Sequence, residues 1–475
     1  MKIIAENFGP INKAEIRITP LTVIIGKNNL GKSYLTQLIH VLCSFLIETG
    51  FGYLETYPYF WHSRFASPRE FLRIRKPYYF HINYTENALK ELKRKIRDKN
   101  IKDYDIIDIL STKIMKDMSN IVEKQLTNKL EQIFGVRIGN LVSLGTSQSR
   151  IDLIFNDYFI LRILITNKNR LRVDFVNSSE QKGKFEAKII PFISQLRKTK
   201  RITRIRIYEI IQEFLNLLMI SLTDSIYIPA GRAGLLESYD TVVAALVNLS
   251  SWAPLHGLTM SPIPGVASQF YNRLLSLEGT KGPFANIADK LKIILSGDIQ
   301  LRKIRGITSG APRIYYTFKW KGETRRIEVI HAASMIKELC PLYLIMKEAV
   351  NPNSLLIVEE PESHLHPSAQ CQLIEIFSTL VSNNVNVILT THSDLIIRKI
   401  GNLIGYSKFK KEQLPQLDLS LVSIHLLKET PLGNVSIEVP IPDDGIFENI
   451  PEFDNVINEL YEEQLYLQQQ AQLGD

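Results

Sequence analysis

Three groups of polar residues have the types and the spacing of a site for a phosphorylated ligand. The first fits the pattern GxxxxGK[ST], in which glycines let backbone N–H groups face a phosphate, the lysine meets the β and γ phosphates, and the last hydroxyl ligates Mg²⁺. It lies between an apolar segment, LTVII, and an amphipathic one, YLTQLIHVLCSF. The predicted phosphate-binding residues are Gly26, Lys27, Asn28, Asn29, Leu30, Gly31, Lys32 and Ser33.

The second group is a pair of carboxylates that follows the four apolar residues LLIV. Ligands of α/β sheets bind at the carboxyl ends of the strands. Glu359 is therefore placed to hold Mg²⁺ together with Ser33, and Glu360 is placed to polarise the water that attacks a γ phosphate. The alternative is a solvated acidic strand end without a catalytic role.

The third group, TTHSD at residues 390–394, follows the apolar run VNVIL. Parallel sheets collect the carboxyl ends of their strands on one edge. We therefore expect His392 to reach the same phosphate and to act as a γ-phosphate sensor. The alternative is a surface histidine whose hydrogen bonds are satisfied locally.

The elements that must position these groups predict an α/β fold. Residues 1–44 give the order strand, strand, strand, glycine loop and helix. Farther on, NSLLIVEE and NVNVILTTHSD predict buried strands, and LVSIHLLKE with NVSIEVPI predicts a hairpin before an acidic final helix. We expect four segments: residues 1–50 with the phosphate loop, a helical and β insertion at 51–222, a returning body at 223–420, and strands with an acidic helix that complete the body at 421–475.

In this order, GKNNLGKS, LLIVEEPESHLHP and VILTTHSD resemble the ABC-type ATPases of the SMC, RecF and OLD group. The segments ENFGPI and IYIPAGRAG also resemble stand-alone RecF-like or OLD-like AAA-family members of prokaryotic defence and repair loci. The resemblance covers roughly residues 1–44 and 224–393. It implies an ABC-type P-loop body, a mixed sheet with flanking helices, that binds ATP and Mg²⁺ and forms a homodimer or higher homo-oligomer with ATP at the interface.

The sequence departs from the family pattern at two positions. The segment that would touch the partner's γ phosphate is best matched by HAASMIKEL at 331–339, where Ser334 supplies the hydroxyl, so slow hydrolysis is expected. Where relatives carry a metal-linked glutamine after a strand, this chain has IPAGR, and Arg232 is expected either to contact a phosphate or the facing subunit, or to hold a turn. The resemblance places His364 and His366 in an interface loop, although their spacing is also that of metal ligands.

The composition sets limits on the partners and the compartment. Lys and Arg number 57 against 49 Asp and Glu, a net charge of +8, which favours polyanionic partners. The absence of a long apolar stretch and of a secretory signal predicts a cytoplasmic protein without a membrane partner. The chain also contains a basic cluster: Arg197, Lys198, Lys200, Arg201, Arg204 and Arg206, with Lys93, Arg94, Lys95 and Arg97. This cluster could contact DNA, bind an acidic partner or form a solvated helix face.

The motifs predict an ATP-hydrolysing protein, and the resemblance implies a switch that dimerises through ATP and controls DNA binding or an effector in anti-phage defence or DNA repair. The stretch after His392 contains Asp443 and Asp444 but is too short for a nuclease fold, so a nuclease or toxin effector is expected to be a separate polypeptide. The main alternative is a nucleotide-dependent scaffold that sequesters a partner protein, with its oligomeric state set by the aromatic segment 57–65. A transporter's nucleotide-binding subunit is less favoured because of the insertion and the degenerate signature.

Overall fold

The chain divides into two compact units in the computed structural model. The first unit comprises Met1–Glu15 and Gln37–Ser225, and the second comprises Ile16–Thr36 and Ile226–Asp475. The structure describes the following residues: 1–48, 94–96, 98, 100–154, 160–176, 179–198, 221–239, 241–242, 265–302, 313–409, 417–450 and 453–473.

The second unit contains a mixed sheet whose strands follow the order β14, β13, β3, β12, β11, β7. Strands β13, β3, β12 and β11 are parallel to one another, and β14 pairs antiparallel with β13. Strands β3 and β11 are buried along their whole length, as expected for apolar runs inside a parallel sheet. The bounds are β3 Leu21–Gly26, β7 Asp224–Ile228, β11 Ser354–Glu359, β12 Asn386–Thr391, β13 Val422–Thr430 and β14 Gly433–Val439.

Most of the helices described in this unit share one large apolar core with the sheet, whereas the last helix is largely exposed. Helix α8 begins with Pro367, where the missing N–H costs nothing, and the side chain of His366 caps its first turn. The helices are α1 Lys32–Leu46, which continues into the first unit, α4 Gly265–Ser276, α5 Ala285–Ala288, α6 Leu291–Leu295, α7 Ser334–Glu348, α8 Pro367–Ser382, α9 Asp394–Lys408 and α10 Asp454–Leu473.

A small antiparallel sheet in the second unit precedes helix α7. Its strands follow the order β10, β9, β8, with bounds β8 Gly297–Arg302, β9 Arg313–Trp320 and β10 Glu323–Glu328. One face of this sheet places Ile299, Ile314 and Tyr316 in the apolar core of the unit. The small sheet is therefore part of the same body and leads directly into helix α7.

The first unit contains strands in the order β6, β5, β4, β1, β2, and helix α2 packs on β6. Helix α2 ends at Gly135, whose φ of 67° is the left-handed conformation that glycine favours at helix ends. The rings of Phe8 and Phe134 meet edge to face at 5.6 Å. The bounds are β1 Lys2–Phe8, β2 Ile11–Arg17, β4 Gln148–Ile154, β5 Ile160–Thr166, β6 Arg170–Val176, α2 Asp103–Phe134 and α3 Ser179–Lys198.

The predicted fold class, a mixed sheet with flanking helices, is confirmed. The insertion expected at 51–222 falls within the first unit, where the described residues contain both helices and strands. The aromatic segment 57–65 lies outside the described residues, as do six of the ten residues of the basic cluster: Lys93, Arg97, Lys200, Arg201, Arg204 and Arg206. No helix in the described part of the chain has the length and the apolar composition that crossing a membrane requires.

Candidate functional site

Strand register brings the three predicted groups to one edge of the sheet. Gly26 pairs with Leu427 in the parallel ladder of β3 and β13, and Ile25 pairs with Thr391 of β12. Thr390 in turn pairs with Glu359 of β11. Because Gly26, Thr391 and Glu359 are the last residues of their strands, the glycine loop, the paired glutamates and the polar end of β12 all emerge on the same side of the second unit.

The glycine loop turns sharply between β3 and α1. Three of its residues have positive φ: Gly26 at 139°, Asn29 at 64° and Gly31 at 101°. A Cβ on Gly26 would lie 2.3 Å from the carbonyl oxygen of Leu427, so both the φ and the close strand require glycine there. Because α1 begins at Lys32, the amides of its first turn have no acceptor within the helix and suit an anion.

Lys32 is the buried cation of this loop, with 7% of its surface exposed. Its Nζ donates to the carbonyl oxygens of Gly26 at 2.8 Å and of Lys27 at 2.7 Å. Burial lowers the pKa of Lys32 to about 8, and the carboxylates of Glu360, Glu362 and Glu359, in decreasing order, oppose that shift. Because this ammonium group is poorly solvated, a phosphate anion beside it would stabilise its charge.

Glu359 faces the first turn of α1 and is 5% exposed. Its Oε1 accepts from the hydroxyl of Thr36 at 3.4 Å, and its Oε2 accepts from the amide of Ala230 at 3.2 Å. The Thr36 hydroxyl also lies 3.1 Å from the carbonyl oxygen of Ser33. The structure thus connects Glu359 to the turn that carries Ser33 through Thr36, a residue that the sequence analysis did not identify.

Glu360 has an unusual backbone for a glutamate, with a φ of 43°. Its amide donates to the carbonyl oxygen of Thr390 at 2.9 Å and lies 3.2 Å from the hydroxyl of the same residue. The residue after it is Pro361, which disfavours helical conformations at the preceding position. Such a backbone costs about 1–3 kcal/mol and persists only where the surroundings impose it.

The carboxylate of Glu360 is directed towards His392. Oε1 of Glu360 lies 3.9 Å from Nε2 of His392, and the two side chains are 41% and 34% exposed. The pKa of His392 is lowered, first by burial and then by the charge of Lys32, against the opposing effect of Glu360. Lys32, Glu360 and His392 therefore share one electrostatic environment.

Glu362 holds the end of β12 in place. Its Oε1 accepts from the hydroxyl of Thr391 at 2.8 Å and from the amide of His392 at 2.6 Å. Burial raises the pKa of Glu362, while these hydrogen bonds lower it and leave a smaller net increase. The sequence gives no signal of this role, because Glu362 gains it only when the end of β12 lies beside the loop that follows β11.

Arg232 is buried and makes its contacts within the protein, which is not the placement expected of a residue that binds a phosphate. Its side chain is 1% exposed, its guanidinium donates to the carbonyl oxygens of Pro229, Glu338, Glu359 and Glu360, and it forms an ion pair with the carboxylate of Glu338. Of the roles considered from the sequence, the geometry therefore favours the structural one over direct contact with a phosphate or a facing subunit. The physical reason is that Glu338, 106 residues away along the chain, turns the guanidinium inward.

The remaining predicted residues lie at the surface of the second unit. Ser33 is exposed in the first turn of α1, and Ser334 is exposed as the first residue of α7. His364 and His366 are also exposed, and Nδ1 of His366 lies 2.8 Å from the hydroxyl of Ser368 in the first turn of α8. The exposed positions of Ser334 and His364 leave both accessible to a second subunit.

The donor set fits a magnesium nucleotide. The loop combines a buried ammonium group with the amides of a helix amino terminus, which suits phosphate oxygens. The Ser33 hydroxyl and a carboxylate oxygen of Glu359 are hard oxygen ligands of the kind that Mg²⁺ prefers, and Thr36 links their surroundings. The described residues of the second unit therefore contain suitable groups for both parts of the ligand.

One family model matches a part of the chain that includes several residues of this site. Residues 322–398 match the family described as "AAA domain, putative AbiEii toxin, Type IV TA system". None of the curated proteins matches the chain. The matched segment includes α7, the glutamate pair and His392, which are the parts of the site that lie outside the glycine loop.

Similar solved structures are SMC head domains. One, bound to the C-winged helix domain of ScpA, has 12% identity, covers 93% of this chain and 97% of its own, and gives a TM-score of 0.42. A second, with an extended coiled coil and bound to the C-terminal domain of ScpA derived from Pyrococcus furiosus, has 11% identity, 98% coverage of both chains and a TM-score of 0.40. The head domain from Thermotoga maritima has 11% identity, covers 93% of this chain and 98% of its own, and gives a TM-score of 0.34. The chain thus has a mixed α/β sheet with a glycine loop between a buried strand and a helix, and its residues 322–398 are similar to an AAA domain family.

Proposed function

We propose that the chain binds ATP with Mg²⁺ and hydrolyses it slowly, and that nucleotide binding switches its association with a second copy. The observation that carries this proposal is the convergence of Lys32, Glu360 and His392 at one edge of the sheet, with 3.9 Å between the glutamate and histidine side chains. A lysine and a histidine with lowered pKa values that meet a carboxylate at the carboxyl ends of parallel strands are typical of nucleotide hydrolysis.

Each residue has a distinct task in the proposed reaction. The loop amides and Lys32 bind and neutralise the β and γ phosphates, and Glu360 orients the attacking water and polarises it. Neutral His392 donates a hydrogen bond to the γ phosphate. Mg²⁺, held by Ser33 and Glu359, would supply further neutralisation of phosphate charge.

The test of hydrolysis compares Glu360→Gln with the parent chain. Glutamine keeps the size of the side chain but is a much weaker base, so kcat should fall by about 10²-fold or more while ATP still binds. Glu459→Gln, on the exposed face of helix α10, is the matched control and should turn over ATP at the parent rate. Hydrolysis by Glu360→Gln at the parent rate would remove Glu360 from this role and favour the nucleotide-dependent scaffold.

The same variant tests the switch. If hydrolysis separates the two copies, Glu360→Gln should remain a dimer in the presence of ATP and Mg²⁺, while the nucleotide-free chain should be smaller. The exposed Ser334 at the start of α7 is our candidate for contact with the nucleotide held by the other copy. Light scattering after size exclusion measures both masses, and an ATP-independent mass would exclude the switch.

For the cellular role, we favour control of a separate effector in anti-phage defence. The description of the matched family, which names a toxin of a toxin–antitoxin system, supports defence over DNA repair. Expression of the chain alone, beside its Lys32→Met variant, tests this assignment by growth. Growth arrest that requires Lys32 but no second protein would mean that this chain is itself the effector.

Direct DNA binding remains a second candidate because the basic cluster at 197–206 carries six cations. Phosphate-dominated binding weakens steeply with salt. We expect duplex DNA to bind at low salt and to be lost after charge reversal at Arg201 and Arg204. Unchanged binding by that variant would exclude the cluster as the DNA site.

A further inference from the structure

One buried arginine contacts the backbone of both glutamates of the site. Nη1 of Arg232 donates to the carbonyl oxygen of Glu359 at 2.6 Å, and Nη2 donates to the carbonyl oxygen of Glu360 at 3.0 Å. Nη1 also lies 3.3 Å from the carbonyl oxygen of Pro229, on the turn after β7. A planar guanidinium has its donors in fixed directions, so it fixes these carbonyl groups relative to one another.

The peptide that Arg232 contacts is the strained one. Glu360 has a φ of 43° and precedes Pro361, two conditions that make its conformation unfavourable in isolation. Thr390 accepts its amide hydrogen, and Arg232 donates to its carbonyl oxygen, so the residue is fixed from both sides. The direction of the Glu360 carboxylate depends on this backbone, and Arg232 acts on that direction without touching the carboxylate.

The second partner of Arg232 lies on helix α7, four residues after Ser334. Oε2 of Glu338 is 2.9 Å from Nε of Arg232, and Oε1 of Glu338 accepts from the amide of Ala233 at 3.0 Å. Only 2% of Glu338 is exposed. Buried ion pairs contribute little net stability because desolvation offsets their attraction. We therefore attribute this pair to the positioning of the groups around it rather than to stabilisation of the fold.

These contacts form a continuous path within the second unit from helix α7 to the catalytic carboxylate. Ser334 and Glu338 are on successive turns of α7, so a shift at the amino terminus of the helix moves both. Glu338 holds the guanidinium of Arg232 through their ion pair, and Arg232 holds the carbonyl group of Glu360 through a hydrogen bond. We propose that Arg232 and Glu338 are positioning residues that couple the start of helix α7 to the orientation of Glu360; this inference rests on the proposed function.

The first experiment separates nucleotide binding from turnover. Arg232→Lys keeps the charge but loses the fork that spans the carbonyl groups, and Glu338→Gln keeps the shape but loses the ion pair. We expect kcat to fall at least tenfold in each, with the Kd for ATP within threefold of the parent value. The matched control is Lys399→Gln, which breaks the 2.5 Å ion pair with Glu375 between α9 and α8 and should leave kcat unchanged.

The second experiment separates positioning from a merely structural role. If the pair only stabilises the fold, the double variant Arg232→Met with Glu338→Met, which removes both buried charges, should keep the parent kcat at temperatures well below its Tm. Under our proposal kcat stays at least tenfold low even at those temperatures, because the carbonyl groups of Glu359 and Glu360 have lost their donor. Recovery of kcat in the double variant would overturn the inference.

The third experiment uses the background of Glu360→Gln. Because the pair acts through Glu360, Arg232→Lys should lower the residual turnover of that background by less than twofold. A loss as large as the one in the parent chain would show that Arg232 acts by another route and would overturn the inference. Inactivity of the parent chain, or full activity of Glu360→Gln, would instead overturn the proposed function, and the coupling would fall with it.

Discussion

The affinity for ATP should depend on pH through a single lysine. Burial lowers the pKa of Lys32 from 10.5 to about 8, so the nucleotide-free chain is mostly neutral at this position above pH 8. A phosphate anion requires the ammonium form, and the apparent Kd increases as the competent fraction falls. Between pH 7.5 and 9.5 the Kd for ATP should therefore weaken roughly twenty-fold.

The stability of the nucleotide-free chain should change with pH in the opposite direction to its affinity for ATP. Between pH 8 and 10.5 the unfolded chain binds more protons at Lys32 than the folded chain, so the stability of the nucleotide-free chain should rise with pH in that window. At about 1.4 kcal/mol per pH unit, the buried ammonium group costs at most about 3 kcal/mol. Lys32→Met should accordingly raise the Tm of the nucleotide-free chain while it weakens ATP binding.

Titration calorimetry at fixed Mg²⁺ concentration and ionic strength measures the affinity, and Lys32→Met is the control. Phosphate groups lose their second proton near a pKa of about 6, so ATP itself does not titrate in this window. The variant should bind weakly and without pH dependence. A Kd for the parent chain that stays flat from pH 7.5 to 9.5, or an equal loss in the variant, would refute the assignment of the effect to Lys32.

Three further predictions concern the histidine, the loop and the first unit. His392→Ala should lower kcat by about 10²-fold, and because the pKa of His392 is lowered, the acid limb of the parent pH–kcat profile should lie below 6.5 and vanish in the variant. Gly26→Ala should destabilise the chain by about 2–5 kcal/mol in urea unfolding, since its Cβ would lie 2.3 Å from a carbonyl oxygen, whereas Gly234→Ala, with nothing within 4 Å, should not. Hydrogen bonds from arginines lower the pKa of Asp152 below 3.8 despite its burial. Asp152→Asn should therefore lower the free energy of unfolding by about 1–3 kcal/mol at pH 7. This difference between the two chains should disappear as pH falls through the pKa of Asp152 in the folded chain.

The sequence was sufficient for the parts of the site that depend on local pattern. The glycine loop follows a run of apolar residues that can only be a buried strand, and both glutamates come directly after another such run. Parallel pairing then places Gly26, Glu359 and Thr391 at one edge with no further information. Local pattern and sheet geometry therefore predict which residues meet.

The parts that the sequence did not predict depend on long-range contacts. Arg232 follows a strand and a turn, which is equally compatible with an exposed and a buried side chain. Its direction is decided by Glu338 on α7, a helix formed more than a hundred residues later. Thr36 and Glu362 were missed for the same reason, since their hydroxyl and carboxylate groups gain a role only when α1, β11 and β12 are brought together.

The strained backbone at Glu360 follows from a geometric conflict that the sequence contains. Consecutive residues of an extended strand point to opposite faces of a sheet, so two adjacent glutamates would normally diverge. Here Glu359 contacts Thr36 near the start of α1, while under our proposal Glu360 has to face the same nucleotide from beside His392. A left-handed φ at the second glutamate resolves the conflict by turning the chain at the moment the strand ends, and the hydrogen bonds from Arg232 and to Thr390 offset its cost. The two adjacent carboxylates can have different roles only because the surrounding structure holds Glu360 in a backbone conformation that is unfavourable in an unfolded chain.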